Sequence, residues 1–196
     1  MGRSGMSFRK MGEDKMTTIN KIPAYIEAKG DIFHYSANRI REGVNGCHVI
    51  IPHVCNNVNG FGSGFARDVS IKYPIVKDNF HLLGNKAQLG YVQFVQVAKD
   101  TKYGHTLIFA NMIAQNGTIN KFNNPRPLNY LALAKSMEKV KDFAKELSKF
   151  TDGTKVEIHA PKFGSGLAGG QWIFITDLIE DIWSAKNGLN VYIYSK

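Results

Sequence analysis

The chain has 196 residues, 43% hydrophobic and 21% charged. That is the composition of one globular domain whose core needs no metal or disulfide staple, and it excludes wholesale disorder. No apolar run approaches the roughly 18 residues of a membrane-spanning helix, while a net charge of +9 attracts anions: nucleic acid, acidic membranes or phosphorylated small molecules.

Residues 1–16, rich in Gly, Ser, Met and charge without a period, read as a flexible extension. The start has no apolar core of a secretory signal, and residues 1–21 carry a local charge of +3. Residues 17–196 read as the domain. Lys21–Ala28 is a strand, followed by a turn at Gly30-Asp31. His48–Val54 is a buried strand, leading through the glycine-rich Gly60–Gly64 into a helix from Gly64 to Tyr73 that stops before Pro74. Tyr91–Val97 and His105–Ile113 are neighbouring strands joined at Lys102–Gly104, and so an antiparallel pair. Asn116–Arg126 is a polar loop. A long amphipathic helix runs from Pro127 to Phe150, with Leu133, Met137, Val140, Ala144 and Leu147 at three-to-four spacing. Val156–Ala160 is a strand and Gly164–Gly170 a second glycine-rich loop. A helix spans Gln171 to Lys186 with Trp172, Ile175, Leu178, Ile179, Ile182 and Trp183 on one side, ending before Gly188. Leu189–Tyr194 is the last strand. Alternating strands and helices make a three-layer α/β domain around a mixed sheet.

Cys47 and Cys55 form no CxxC and no zinc spacing, and read as reduced, buried thiols of a cytoplasmic protein. No cluster has metal-ligand spacing, so neither a metal nor a cofactor is expected. The basic charge forms no dense run and carries no recognition signature; nucleic acid is an unspecific partner at most. A monomer is the default.

The chemistry sits in two segments. Asn56–Ala66 and Pro161–Gln171 each follow a buried strand, pass through glycines and open a helix. Glycines let backbone N–H groups approach an anion, and a helix N-terminus adds free donors and positive partial charge. Two such units place two loops at one sheet edge, suited to a diphosphate between them. Gly164, Gly166 and Gly169 also match GxGxxG. A dinucleotide fold would then need an acidic residue at the end of the next strand, and Leu189–Tyr194 supplies none.

Together with Gly30-Asp31-Ile32, these loops resemble the macro domain, a family of ADP-ribose-binding modules with a mixed sheet flanked by helices. The resemblance runs from Lys21 to the end and is nearest to the phage and bacterial branch of ADP-ribose 1''-phosphate phosphatases and terminal ADP-ribose protein glycohydrolases; Asn111–Gln115 looks like members of that branch. It implies that Asp31 accepts from the adenine amine with the Ile32 backbone beside it, and that Asn56 and Asn59 face the distal ribose. Backbone donors at Gly62, Ser63, Gly64, Gly164, Ser165, Gly166 and Leu167 would hold the phosphates, and Phe163 would pack on the sugar. The glycohydrolase lysine falls at Ala114 or Gln115 and its aspartate at Ala168, so the lysine-adduct mechanism is not carried over. The expected activity is hydrolysis of ADP-ribose 1''-phosphate. The alternatives are cleavage of ADP-ribosyl esters on a modified macromolecule, or reading ADP-ribose without turnover. Among six histidines, His53 and His159 lie near the strand ends that feed the two loops, where a base is wanted. Asp68, on the helix after the first loop, reads as a surface charge, and Gln115 can orient a water.

Overall fold

The computed structural model describes residues 25–195; the extension expected over residues 1–16 and the first half of the strand expected at Lys21–Ala28 lie outside them. Six strands form one sheet: β1 (Ile26–Lys29), β2 (His48–Asn56), β3 (Val92–Lys99), β4 (Thr106–Gln115), β5 (Val156–Pro161) and β6 (Asn190–Ser195), in the order β1-β6-β5-β2-β4-β3. All neighbours are parallel except β3, which pairs antiparallel with β4 as the short connection between them requires. The helices are α1 (Ile32–Arg39), α2 (Gly64–Lys72), α3 (Pro74–His81), α4 (Tyr130–Phe150) and α5 (Trp172–Leu178).

The central strands are buried on both faces, so they read as apolar runs rather than alternations. Along β2 and β4 successive side chains enter two different cores. Ile50, Ile108, Ala110 and Met112 pack under α4 and α5, against Leu133, Met137 and Ile175. Val49, Ile51, Phe109 and Ile113 pack under α1, α2 and α3, against Ile32, Val69 and Phe80. The sheet is therefore the middle of three layers, as the alternation of elements predicts.

Three helical regions differ from expectation. Gly30-Asp31 is not only a turn: Asp31 caps α1, its Oδ1 accepting from Phe33 N at 2.8 Å. Pro74 ends α2 and also opens α3, because a first-turn proline loses no helical hydrogen bond. The helix expected over Gln171–Lys186 is regular only to Leu178. A wider turn at Ile179–Trp183 follows, where Ser184 N donates to Ile179 O, and this bulge keeps Ile179, Ile182 and Trp183 all in the core. No helix among the described residues is long and apolar enough to cross a membrane.

Candidate functional site

The site forms where two parallel neighbours part. β2 pairs with β5 only from His48↔Val156 to Ile50↔Ile158, but with β4 as far as Asn56↔Gln115. Two residues beyond Ile50 stands Pro52, which has no N–H to give to a ladder. Past that point the ends of β2 and β5 open into a cleft, bordered by Asn56 and Gly60 on one side and Pro161, Gly164 and Gly166 on the other. Their following helices go to opposite faces, α2 with Val69 in one core and α5 with Ile175 in the other. A crevice between strands whose connections diverge is where open α/β sheets bind ligands.

The first loop is held by its own side chain. Asn56 Nδ2 donates to Gly60 O at 2.7 Å, and Asn56 Oδ1 accepts from Gly60 N at 2.9 Å and Val58 N at 3.1 Å. The amide expected to face a ribose is thus used to fold the loop. Asn59 lies at φ 61° with its Oδ1 2.7 Å from His81 Nδ1 on α3, and it does not border the cleft. Ser63 caps α2 through its backbone alone and does border it.

The second loop is held by packing. Gly170 N donates to Gly164 O at 2.8 Å and Gly169 N to Gly166 O at 2.9 Å. Phe163, expected to pack on the sugar, borders the cleft, but its ring is 3% exposed and packs between Trp172 and Trp183, with centroids 6.1 and 5.5 Å away. Leu167, half exposed, reaches toward Gly64 and brings the loops together. Gly62 and Gly166 face open space, with nothing within 4 Å of where a Cβ would stand.

The sequence points to a third wall only at Gln115, and not at Thr118 or Ile119. The β4–α4 connection brings Gln115, Thr118 and Ile119 to the cleft. It is tied to the first loop by Asn57, whose Nδ2 donates to Asn116 Oδ1 at 3.1 Å and whose Oδ1 accepts from Gly117 N at 2.8 Å. Asn124 Nδ2 then donates to the Asn116 and Thr118 carbonyls at 2.9 and 3.0 Å. The signal was the density of asparagines, which supply local side-chain to backbone bonds in turns.

Asp31 and Ile32 do not border this cleft. They sit at the start of α1, beside the first turn of α2 through the stacked rings of Phe33 and Phe65, 5.4 Å apart; Phe65 is a cleft residue. Asp31 spends one carboxylate oxygen on its capping bond. Ala168 and Gln115, at the positions of the glycohydrolase aspartate and lysine, both border the cleft.

The two histidines fare differently. His53 is 2% exposed and forms part of the cleft wall. Burial holds its pKa down, to about 4, with the hydrogen bond to Asn111 opposing, so it is neutral near pH 7. His159 does not reach the cleft. Its Nδ1 lies 3.0 Å from Ser36 Oγ and 3.1 Å from Tyr194 OH, and its Nε2 lies 3.2 Å from Glu157 Oε2. Glu157 in turn accepts from Arg39 Nε and Nη2 at 2.9 and 2.8 Å. Burial pushes the Glu157 carboxyl up, but bonds from His159 and Arg39 outweigh it and hold it at about 2. This network fastens α1 to β5 and corrects the expectation that His159 serves as a base.

The described residues bordering the cleft include no carboxylate, and Lys162 is the residue there with a permanent charge. Cys55 also borders it, its thiol pushed up by burial and so kept protonated. No group of three His, Cys, Asp or Glu among the described residues is placed to hold a metal. The arrangement is one for receiving an anion among backbone donors.

No protein-family model and no curated protein matches the chain. Solved structures do. A macrodomain protein from Streptomyces coelicolor is 28% identical with a TM-score of 0.64, over 88% of this chain and 99% of its own. A protein of unknown function from Bacteroides thetaiotaomicron is 26% identical with a TM-score of 0.66, over 87% and 96%. DarTG of Thermosipho africanus, in complex with ADP-ribose, is 17% identical with a TM-score of 0.60, over 86% of this chain and 41% of its own.

Proposed function

We propose that this chain, whose fold is that of the macrodomain, binds ADP-ribose across the cleft between its two glycine loops. The observation that carries the reading is the cleft itself. Two strand–loop–helix units on adjacent strands open toward each other, with Ser63 and Gly64 of one and Gly166 and Leu167 of the other bordering the cleft, Gly62 next in sequence to Ser63, and no described carboxylate between them. A diphosphate needs N–H donors at close range and no competing negative charge. The backbone of Gly62, Ser63 and Gly64 and that of Ser165, Gly166 and Leu167 supply the donors. Asp31, with one oxygen engaged at Phe33 N, offers the other to the adenine amine, and the Ile32 backbone lies beside it. The ADP-ribose in the Thermosipho africanus structure supports the same ligand class here.

Hydrolysis of ADP-ribose 1''-phosphate is the second reading, and what favours it is the placement of Gln115 and His53 at the cleft. Water would add to phosphorus while the bond from phosphorus to the 1''-oxygen breaks, releasing phosphate and leaving ADP-ribose with its anomeric hydroxyl. Gln115 would orient the water.

Titration calorimetry with ADP-ribose tests the first reading. Micromolar binding that Asp31→Ala weakens about tenfold, or ~1.4 kcal/mol, is the expected result. Absence of heat with ADP-ribose, together with salt-dependent binding of nucleic acid, would sink it. Phosphate release from the 1''-phosphate tests the second reading, and a chain that binds ADP-ribose but releases none is a reader.

A further inference from the structure

His53, Asn111 and Gln93 stand in one row across three neighbouring strands. Asn111 on β4 is the register partner of His53 on β2 and of Gln93 on β3. Their side chains bond end to end. Gln93 Nε2 donates to the backbone carbonyl of Asn79 in α3 at 2.9 Å, and Asn111 Nδ2 donates to Gln93 Oε1 at 2.9 Å. Asn111 Oδ1 then lies 2.6 Å from His53 Nε2.

A carbonyl only accepts, so the Asn79 end fixes the sense of the whole chain. Gln93 must present its amine to Asn79 and its oxygen to Asn111. Asn111 must present its amine to Gln93 and its oxygen to His53. His53 Nε2 must therefore carry the hydrogen. Burial keeps the ring neutral, and Nδ1 carries no hydrogen and is left as an acceptor. Its neighbour among the described residues is the Cys55 thiol, with Sγ 3.7 Å away, a weak donor. The ring is set edge-on among Phe61, Phe65 and Phe109, with centroids 5.5 to 6.3 Å away, which limits its freedom to turn.

We infer that this row is a tautomer-setting relay: it holds Nδ1 of His53 as a hydrogen-bond acceptor in the cleft wall, where it receives a hydroxyl of the bound ligand. Asn111 and Gln93 are positioning residues that act through His53. The partner is a hydroxyl and not a phosphate oxygen, because an ionised phosphate has no hydrogen to give and would set lone pair against lone pair. With ADP-ribose as ligand, that donor is a sugar hydroxyl; this identity rests on the reading above, and the relay does not.

The experiment is long-range 15N–1H spectroscopy of histidine-labelled full chain at pH 7, with and without ADP-ribose, assigning His53 by His53→Gln. The expected spectrum has hydrogen on Nε2 and a bare Nδ1, whose resonance moves when ADP-ribose saturates the protein. In Gln93→Leu the Asn111 amide is free to turn over, so the Nδ1–H tautomer enters the spectrum and ADP-ribose affinity falls about tenfold. A merely structural role for Gln93 would leave the tautomer unchanged. An Nδ1–H ring in the unaltered protein overturns the relay. An unmoved Nδ1, with ADP-ribose bound by calorimetry, overturns the hydroxyl contact. If calorimetry shows no binding at all, the ADP-ribose reading falls with its sugar hydroxyl, and the tautomer in the free protein still decides the relay.

Discussion

The two loops look alike in sequence and are built in different ways. After β2, one side chain does the folding: Asn56 holds Gly60 by both its amide groups, and apart from Gly60, whose Cβ would meet Asn56 itself, the glycines of this loop have space. After β5, absence of side chains does it. A Cβ at Gly170 would collide with Leu128 Cδ2 and stand 2.6 Å from Gly164 O, and one at Gly169 would stand 2.8 Å from Pro125 O. Yet each loop also keeps a glycine, Gly62 or Gly166, that nothing in the protein requires for packing. Glycines of one motif thus serve two ends, closing the loop on the core and leaving the backbone bare, at Gly166 beside the cleft and at Gly62 next to Ser63, which borders it.

The largest effect that tests this contrast is expected at Gly170→Ala. Its clash is with backbone as well as a leucine tip, so the loop must shift off the core, at a cost of about 1–3 kcal/mol for overpacking. A lowered midpoint in urea would bear this out; an unchanged midpoint would show that the second loop is not held by close packing. Asn56→Ala attacks the first loop by the opposite route. It leaves Gly60 O and two backbone N–H groups without their partner, at a cost of about 1–3 kcal/mol where such groups stay buried. Asn56→Asp should recover part of this, because its oxygen still accepts from Val58 N and Gly60 N. Equal loss in both variants would mean that the bond to Gly60 O is the one that matters.

The difference between the loops also explains what a sequence shows of such a site. The layered α/β class, the antiparallel β3–β4 pair and both strand–loop–helix units were readable from apolar runs and glycines. So was the buried face of the last helical region, although its change of pitch at Ile179 was not. The roles of single polar residues were not readable. Asn56 and Asn59 have the right chemistry for a sugar, but an Asn near a turn has the same chemistry for its own backbone, and only coordinates decide between them. Phe163 is equally apt for a sugar and for a core, and the coordinates give its ring mostly to Trp172 and Trp183 while it still borders the cleft. His53 and His159 occupy similar strand ends. What separates them is the arrival of α1 over β5, carrying Ser36 and Arg39 to His159 and Glu157. The start of α1 is hidden because Gly30-Asp31 reads equally well as a turn.

The strands beneath the loops carry the contrast into pH. β2 buries a neutral histidine, and β5 buries a paired carboxylate. His53 has a folded pKa near 4 against 6.5 when free. The unfolded chain therefore binds the extra proton first, and this contribution to stability, intact above pH 6.5, is lost as pH falls from there through 4. Glu157, at about 2 against 4.5, keeps its contribution above pH 4.5 and loses it as pH falls toward 2. His48, also lowered to about 4 by burial, adds to the first window and lies on β2 as well. Acid should thus weaken the β2 side before the β5 side. Urea midpoints measured between pH 7 and 5 should fall, and fall less in His53→Gln. A flat profile over that range would contradict the burial of a neutral ring at His53.

The smallest effect on the fold is expected where the loops are alike. Neither Gly62 nor Gly166 has a backbone conformation that needs glycine, and a methyl group at either meets open space. Alanine should leave stability unchanged or raise it by about 0.4–1 kcal/mol, by restricting the unfolded chain. The same methyl would stand where a phosphate must approach the backbone, so ADP-ribose affinity should drop tenfold or more, ~1.4 kcal/mol or above. Unaltered stability with lost binding, set against the lost stability of Gly170→Ala, would separate the glycines that face the ligand from those that face the core. Retained affinity in both Gly62→Ala and Gly166→Ala would place the phosphates elsewhere, and the bare backbone of the two loops would need another reason to be there.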